Sequence, residues 1–263
     1  MNFSEIELRD LSRKDVLILP NVQKMQYLKS IQVKHKKLEI VAKDLMRLLS
    51  PHNETNILGI IGATGVGKTT LSKRLIKSLI ETHQSGEILD PSSIPFIFIA
   101  APANGDRSIS WTTFYEKILR EANEILIQKK QATIIADGLM TVQPRRYKTL
   151  AAMRESLESM LKHRKVRVLV IDEAFHLLRF GNYSAVMDTL KSLTDQSGVK
   201  LVLLGSYDLF DLASDYGQVA RRAEILHFER YDKDSKIDTT EFKLIIGKLQ
   251  KYWPCEEIPN FSA

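Results

Sequence analysis

Five short apolar runs punctuate an otherwise mixed chain: residues 57–61, 95–100, 166–171, 200–205 and 225–229. Each is bounded by polar or glycine-containing sequence and reads as a strand, and the runs at 57–61 and 166–171 read as buried ones. Between them the apolar spacing becomes helical. Leu71, Leu75, Leu79 and Ile80 follow the first run at helical intervals, and helices are predicted over Trp111–Ile125 and Tyr147–His163. An N-terminal helical segment is predicted over Val22–Leu49. Alternation of strand and helix predicts an α/β fold, a five-stranded parallel sheet flanked by helices on both faces. Between the second and third strands the chain makes a basic, polar excursion. Its stretch "GLMTVQPRRYK" combines glycine, proline and paired arginines and reads as an exposed loop. There is no internal repeat and no low-complexity tract.

Chemistry collects at the ends of these runs. The first continues into Gly62, Ala63, Thr64, Gly65, Val66, Gly67, Lys68, Thr69 and Thr70, completing G-x-x-x-x-G-K-[ST], the P-loop, between a strand and a helix. Its glycines let backbone N–H groups curl around phosphates, and the helix N-terminus adds partial positive charge. Lys68 is placed to reach the β- and γ-phosphates, and the Thr69 hydroxyl to ligate Mg2+. ATP and Mg2+ are therefore the expected ligands, and residues 62–70 the nucleotide-binding set.

The third run ends in Asp172-Glu173. Asp172 stands where a Walker-B aspartate holds the metal, and Glu173 can orient and deprotonate an attacking water. An adjacent glutamate argues for hydrolysis by the additional-strand class of P-loop ATPases rather than for a small-GTPase-like switch. The fourth run ends in Ser206, a polar strand tip that can hold the water or the γ-phosphate, the role called sensor 1. Asp208 stands where it can cap the next helix.

Length and charge narrow the picture further. The 263 residues accommodate one large domain, or one with a small appendage, and 44% apolar with 27% charged residues suits a folded core under a charged surface. No run of about 18 apolar residues suggests a membrane span. The start lacks the apolar centre of a secretory signal. A lone cysteine, Cys255, fits a reducing cytoplasm. The net charge is +6, yet residues 126–168 alone hold ten Lys/Arg against three acids, a surplus of +7. Such a concentrated basic stretch is the footprint of a polyanion binder, and equally of a solvated helix face.

Together, "IIGATGVGKTTL", "FIAAPANGDRSISWTTFYEKIL", "VLVIDEAFHLL", "LVLLGSYDLFDL" and "GQVARRAEILHFERY", in this order, resemble the TnsC/TniB family, AAA+ regulators of Tn-seven-like and CRISPR-associated transposons. The resemblance spans roughly Ile57–Tyr252. It implies a bacterial cytoplasmic ATPase that oligomerises as a ring or helical filament on duplex DNA and links a TniQ-type target selector to the transposase. It also implies that DNA is held by its backbone, largely without regard to sequence. Arg107 is the leading candidate contact, with Lys129, Lys130, Arg145, Arg146 and Lys148 as a second group.

The segment before the fifth strand would face a neighbouring subunit's nucleotide, making Arg222 the arginine finger and Arg221 a helper or a fold-internal ion-pair partner. The division implied is an N-terminal helical segment (1–50), an AAA+ core (51–233) and the start of a helical lid (234–263). That lid is read as truncated, because only its first helix, in "TTEFKLIIGKLQKYW", has a counterpart before Ala263. Ser206 stands where threonine is common, which keeps the polar role. The main alternative is a replication-initiator or helicase-loader-like AAA+ ATPase. A signalling ATP switch without nucleic acid fits the basic segment poorly, and a metabolic kinase would need a second substrate site that the sequence does not offer.

Overall fold

The computed structural model describes residues 11–31, 33–72, 92–103, 110–123, 133–136, 139–142, 149–178, 183–209 and 223–258. The sheet is made of β1 (Ile57–Gly62), β2 (Phe96–Ala100), β5 (Val168–Asp172), β6 (Lys200–Gly205) and β7 (Ala223–Phe228), in spatial order β2-β5-β6-β1-β7. All pairings within it are parallel, with Ile57 opposite both Leu201 and Ala223, and Phe96 opposite Val168. The three inner strands are buried almost continuously along their length, as strands covered on both faces must be. The edge strand β2 instead alternates, with Ile97 and Ile99 buried and Phe96, Phe98 and Ala100 half-buried.

Helices α4 (Trp111–Glu121), α5 (Leu150–His163), α6 (Phe175–Leu178) and α7 (Tyr183–Ser197) accompany the sheet. Phe114, Ile118, Leu157, Leu161, Met187 and Leu190 pack with Ile97, Leu169, Ile171 and Leu201 into one core. Full burial of each large side chain contributes about 1.5–3 kcal/mol. Helix starts are set locally: the side chains of Ser110 and Thr149 accept hydrogen bonds from the N–H groups of Thr113 and Ala152. Thr149 thereby starts α5 at Leu150, three residues later than expected.

Helix ends are local as well. Asn123 and Lys165 take left-handed φ values of 53° and 52° just past α4 and α5. Val166 N–H returns to Leu161 carbonyl oxygen at 3.0 Å, closing a Schellman-type end on two buried side chains. Accordingly α4 closes at Glu121, short of the predicted Ile125.

One sequence reading is refined and one is corrected. Within the N-terminal helical segment the structure resolves two helices, α2 (Asn21–Ser30) and α3 (Lys36–Leu48). Ser30 hydroxyl donates to Tyr27 carbonyl at 2.7 Å, and Ile31 turns extended at φ −68°, ψ 127°. Local side-chain bonding of this kind competes with helix continuation, and the β-branched Ile31 and Val33 do not resist it. The stretch read as an exposed loop contains a strand. β3 (Thr133–Ala136) pairs antiparallel with β4 (Leu139–Val142), Ala136 opposite Leu139. The two intervening residues in the sequence are Asp137 and Gly138, a dipeptide favoured in two-residue hairpin connections. That signal outweighs the prolyl and arginyl residues that follow.

At the N-terminal end of the sheet, Lys200 Nζ donates to the carbonyl oxygens of Leu48, Asn53 and Thr55 at 3.0, 2.8 and 3.0 Å. Burial lowers its pKa from the ordinary lysine value.

The chain divides into two compact units, residues 41–228, which hold the sheet, and residues 1–40 with 229–263. In the second unit α1 (Arg13–Leu17) and α2 bury Val16 and Tyr27 with Leu11, Leu19 and Ile31 around them. Lys37 Nζ donates to Asp238 Oδ2 and to Arg230 carbonyl, both at 2.6 Å, and lies 3.6 Å from Glu229. Asp238 belongs to α8 (Lys236–Lys251), so residues 201 positions apart in sequence are joined. Asp238 also accepts from the N–H of Asp232 at 2.8 Å, and these bonds, that from Lys37 foremost, hold its carboxyl below the ordinary range. Burial pulls Lys37 downward, but Asp238 and Glu229 outweigh it and leave the ammonium raised.

Candidate active site

The first strand in sequence is an inner strand, and its C-terminal end is where an open parallel sheet of this kind accepts a ligand. The chain leaves β1 at Gly62, runs through a turn and enters a helix at Lys68. A Cβ on Gly62 would lie 2.5 Å from the carbonyl oxygen of Phe228, so only glycine lets β1 and β7 end side by side here. Gly65 and Gly67 adopt φ values of 80° and 108°, which side chains disfavour. Val66 N–H donates to Ala63 carbonyl at 3.3 Å, closing the turn. Lys68 lies folded onto the loop, its Nζ donating to the carbonyls of Gly62 and Ala63 at 2.7 and 2.9 Å.

Asp172 arrives from the end of β5, two strands away. Its Oδ2 accepts from Thr69 Oγ1 at 3.0 Å, and its Oδ1 accepts from the N–H of Glu173 at 2.9 Å. A hydroxyl and a carboxylate thus meet from the two motifs, an all-oxygen pair of the kind Mg2+ takes. The residues present fit that ion. Among the described residues no cluster of three or more His, Cys, Asp or Glu forms a metal site by itself.

Glu173 has a φ of 53°. Unlike Asn123 and Lys165 it closes no long helix; it lies between a strand and a four-residue helix. A non-glycine residue held in this region is strained, and such strain gathers at sites where a side chain must point a particular way. The Glu173 side chain is 61% exposed, with His176 Nε2 3.8 Å from its Oε2.

A cleft of about 490 Å3 unites these groups: Thr64, Gly65 and Gly67–Thr70 line it together with Asp172, Glu173, Phe175, Gly205, Ser206 and Asp208. Of the residues expected in the site, Thr64, Gly65, Gly67, Lys68, Thr69, Thr70, Asp172, Glu173 and Ser206 line this one space, whereas Gly62, Ala63 and Val66 do not line it. The sequence reading missed Phe175, Gly205 and Asp208 as lining residues. Asp208 stands where it can cap the next helix, and its carboxylate accepts from Ser206 Oγ at 2.8 Å. Its position two residues beyond the strand-tip serine was the available signal.

Residues 52–213 match the sequence profile of the AAA domain. The chain belongs to the AAA domain family. A search of curated proteins finds no match. Among solved structures, this chain resembles Aeropyrum pernix Orc1, determined in complex with DNA, at 17% identity and a TM-score of 0.57, covering 90% of this chain and 53% of that one. It also resembles a Walker-type ATPase of Pyrococcus abyssi at 14% identity and a TM-score of 0.49, covering 82% of this chain and 60% of that one. The chain therefore spans between half and two thirds of the length of these proteins, and the likeness to Orc1 speaks to the fold alone.

Other expected residues of this AAA domain protein lie outside the described residues: Arg107, Lys129, Lys130, Arg145, Arg146, Lys148, Arg221 and Arg222. Among the described residues no helix is long and apolar enough to cross a membrane.

Proposed function

We propose that this protein binds and hydrolyses ATP in the cleft at the end of β1, and does so as an oligomer assembled on duplex DNA to regulate transposition. The observation that carries the catalytic half is the convergence of Lys68, Thr69, Asp172, Glu173 and Ser206 on one space. Backbone N–H groups of residues 62–70 and the Lys68 ammonium orient the triphosphate. Thr69 and Asp172 would hold Mg2+, which when bound neutralises charge on the β- and γ-phosphates. Glu173 takes the proton of the attacking water. Arg222 of an adjacent copy, with Arg221 as helper, completes the site, worth on the order of 10³–10⁵ in rate in related chemistry.

The DNA and transposition half rests on the resemblance to the TnsC/TniB family and on the basic stretch at residues 126–168. In this reading the core is residues 51–233, preceded by the helical segment 1–50 and followed by the lid segment 234–263. Arg107, Lys129, Lys130, Arg145, Arg146 and Lys148 hold DNA phosphates, so binding weakens steeply with salt. A TniQ-type selector and the transposase are the partners, in a bacterial cytoplasm.

Electron microscopy of the purified protein with ATP and duplex DNA tests the assembly. The parent and Glu173→Gln should coat DNA and Lys68→Ala should not, and absence of any ATP-dependent DNA-bound oligomer would sink the reading. Mixing Lys68→Ala with Arg222→Ala should restore part of the ATPase activity, because one interface then joins an intact P-loop to an intact finger. An Arg222→Ala protein that hydrolyses and assembles like the parent removes the finger. A replication-initiator or helicase-loader role would instead appear as loading of a replicative helicase without any stimulation of strand transfer.

A further inference from the structure

A serine hydroxyl has one proton to donate and two lone pairs with which to accept. In this structure the proton of Ser206 is committed: Oγ donates to Asp208 Oδ2 at 2.8 Å. A bond from a hydroxyl to a carboxylate is charge-assisted and roughly twice as strong as a neutral one, so it holds the hydroxyl in one orientation. The turn that carries both residues is tightly built. A side chain on Gly205 would collide with that of Leu209, and Leu209 N–H donates to Ser206 carbonyl at 3.2 Å. Leu209 is itself buried, which anchors the turn to the core. Ser206 and Asp208 both line the cleft that Lys68, Thr69, Asp172 and Glu173 share. With its proton spent, Ser206 offers that cleft lone pairs only. It can accept from a water but cannot donate to a phosphate oxygen.

We infer that Asp208 is a positioning residue for hydrolysis: it holds the Ser206 hydroxyl as an acceptor, so that Ser206 takes a hydrogen bond from the attacking water while Glu173 takes its other proton. This inference rests on the ATPase reading above. In the step, the water oxygen bonds to the γ-phosphorus, one of its protons passes to Glu173, and the bond to the bridging oxygen breaks with the electron pair leaving on ADP. Asp208 touches none of the reacting atoms and acts through Ser206.

The test is steady-state ATP hydrolysis, with ATP affinity measured separately, for the parent, Lys68→Ala, Asp208→Ala, Asp208→Asn, Ser206→Ala and the Ser206→Ala/Asp208→Ala double variant. Asp208 is exposed, so its replacement leaves the core intact. Asp208→Ala should lower kcat about tenfold with KM and ATP affinity changed by less than about twofold, the pattern of a contribution made only in the transition state. Asp208→Asn, whose side-chain oxygen still accepts from the hydroxyl, should recover most of the rate. The double variant should lose no more than the worse single variant, because the two residues act as one unit. An Asp208→Ala protein with the parent kcat, a loss confined to KM, or additive losses in the double variant would each overturn the inference while leaving the ATPase reading standing. A parent that turns over no more ATP than Lys68→Ala would overturn both.

Discussion

Two lysines at opposite ends of the same sheet make the same kind of bond for different ends. Lys68, past the C-terminal end of β1, donates to the carbonyls of Gly62 and Ala63. Lys200, at the N-terminal end of β6, donates to those of Leu48, Asn53 and Thr55. Around Lys68 the backbone is bent into left-handed conformations at Gly65, Gly67 and Glu173, and a cleft stands open. Lys200 has three acceptors, one at the end of α3 and two in the segment leading to β1, and burial lowers its pKa. Its ammonium ties the chain before β1 to β6, as a structural bond should. A cation satisfied by a loop beside a cleft can exchange those carbonyls for phosphate oxygens. One that binds three carbonyls at the opposite end of the sheet from that cleft is a staple.

The sharpest way to press this contrast is at the cleft end. Replacing Glu173 by Gln should lower ATP turnover by about 10²–10⁴-fold, the usual contribution of a general base, while ATP stays bound. Turnover at the parental rate would show that the strained carboxylate is not the base. Next, Lys68→Ala should weaken ATP binding by about 2–5 kcal/mol, the scale of losing one partner of a close charge pair. Its unfolding midpoint without nucleotide should remain near that of the parent.

Lys200→Met should do the reverse. Leaving carbonyls unmet costs about 1–3 kcal/mol of stability in denaturant unfolding, with ATP affinity unchanged. If Lys200→Met weakened nucleotide binding as much as Lys68→Ala, the division between the two ends would fail.

The smallest effect belongs to the Lys37–Asp238 pair of the other unit, which should report on stability alone. Asp238 has a lowered pKa, so its contribution is complete above the ordinary carboxylate value of about 3.9 and fades as pH falls through its folded value. Lys37 has a raised pKa, so its contribution is complete below about 10.4 and fades as pH rises through its folded value. Asp238→Asn should therefore lower the urea midpoint slightly at pH 7, and the gap to the parent should close below about pH 4. A gap that is constant from pH 7 to pH 3 would mean that the carboxylate charge contributes nothing there.

Much of the site was readable without coordinates because its parts are local. The P-loop needs its residues in one order on one turn, and Asp172-Glu173 needs only to end a buried run. What the sequence hid lies in competition between local signals. Ser30 and Ile31 set the end of a helix inside the N-terminal helical segment, a boundary the sequence reading did not place. Asp137-Gly138 connects two strands inside a stretch dominated by proline and arginine signals. Asp208 reads as a helix cap until the orientation of the Ser206 hydroxyl is known.

By itself, then, the sequence determined the strand–helix alternation, the phosphate-binding turn and the acidic pair, because periodicity, glycine conformational freedom and short motifs act over a few residues. Tertiary structure alone decided which strands are neighbours. The order β2-β5-β6-β1-β7 brings Thr69 and Asp172, 103 positions apart, to 3.0 Å, and sets Ser206 in the same cleft. It also decided that Lys200 is a staple and that Lys37 joins α8, because a long side chain's partners depend on backbone carbonyls and carboxylates brought near by the packed core. Those distances are products of burying apolar faces, a cooperative outcome that no single stretch of the chain specifies.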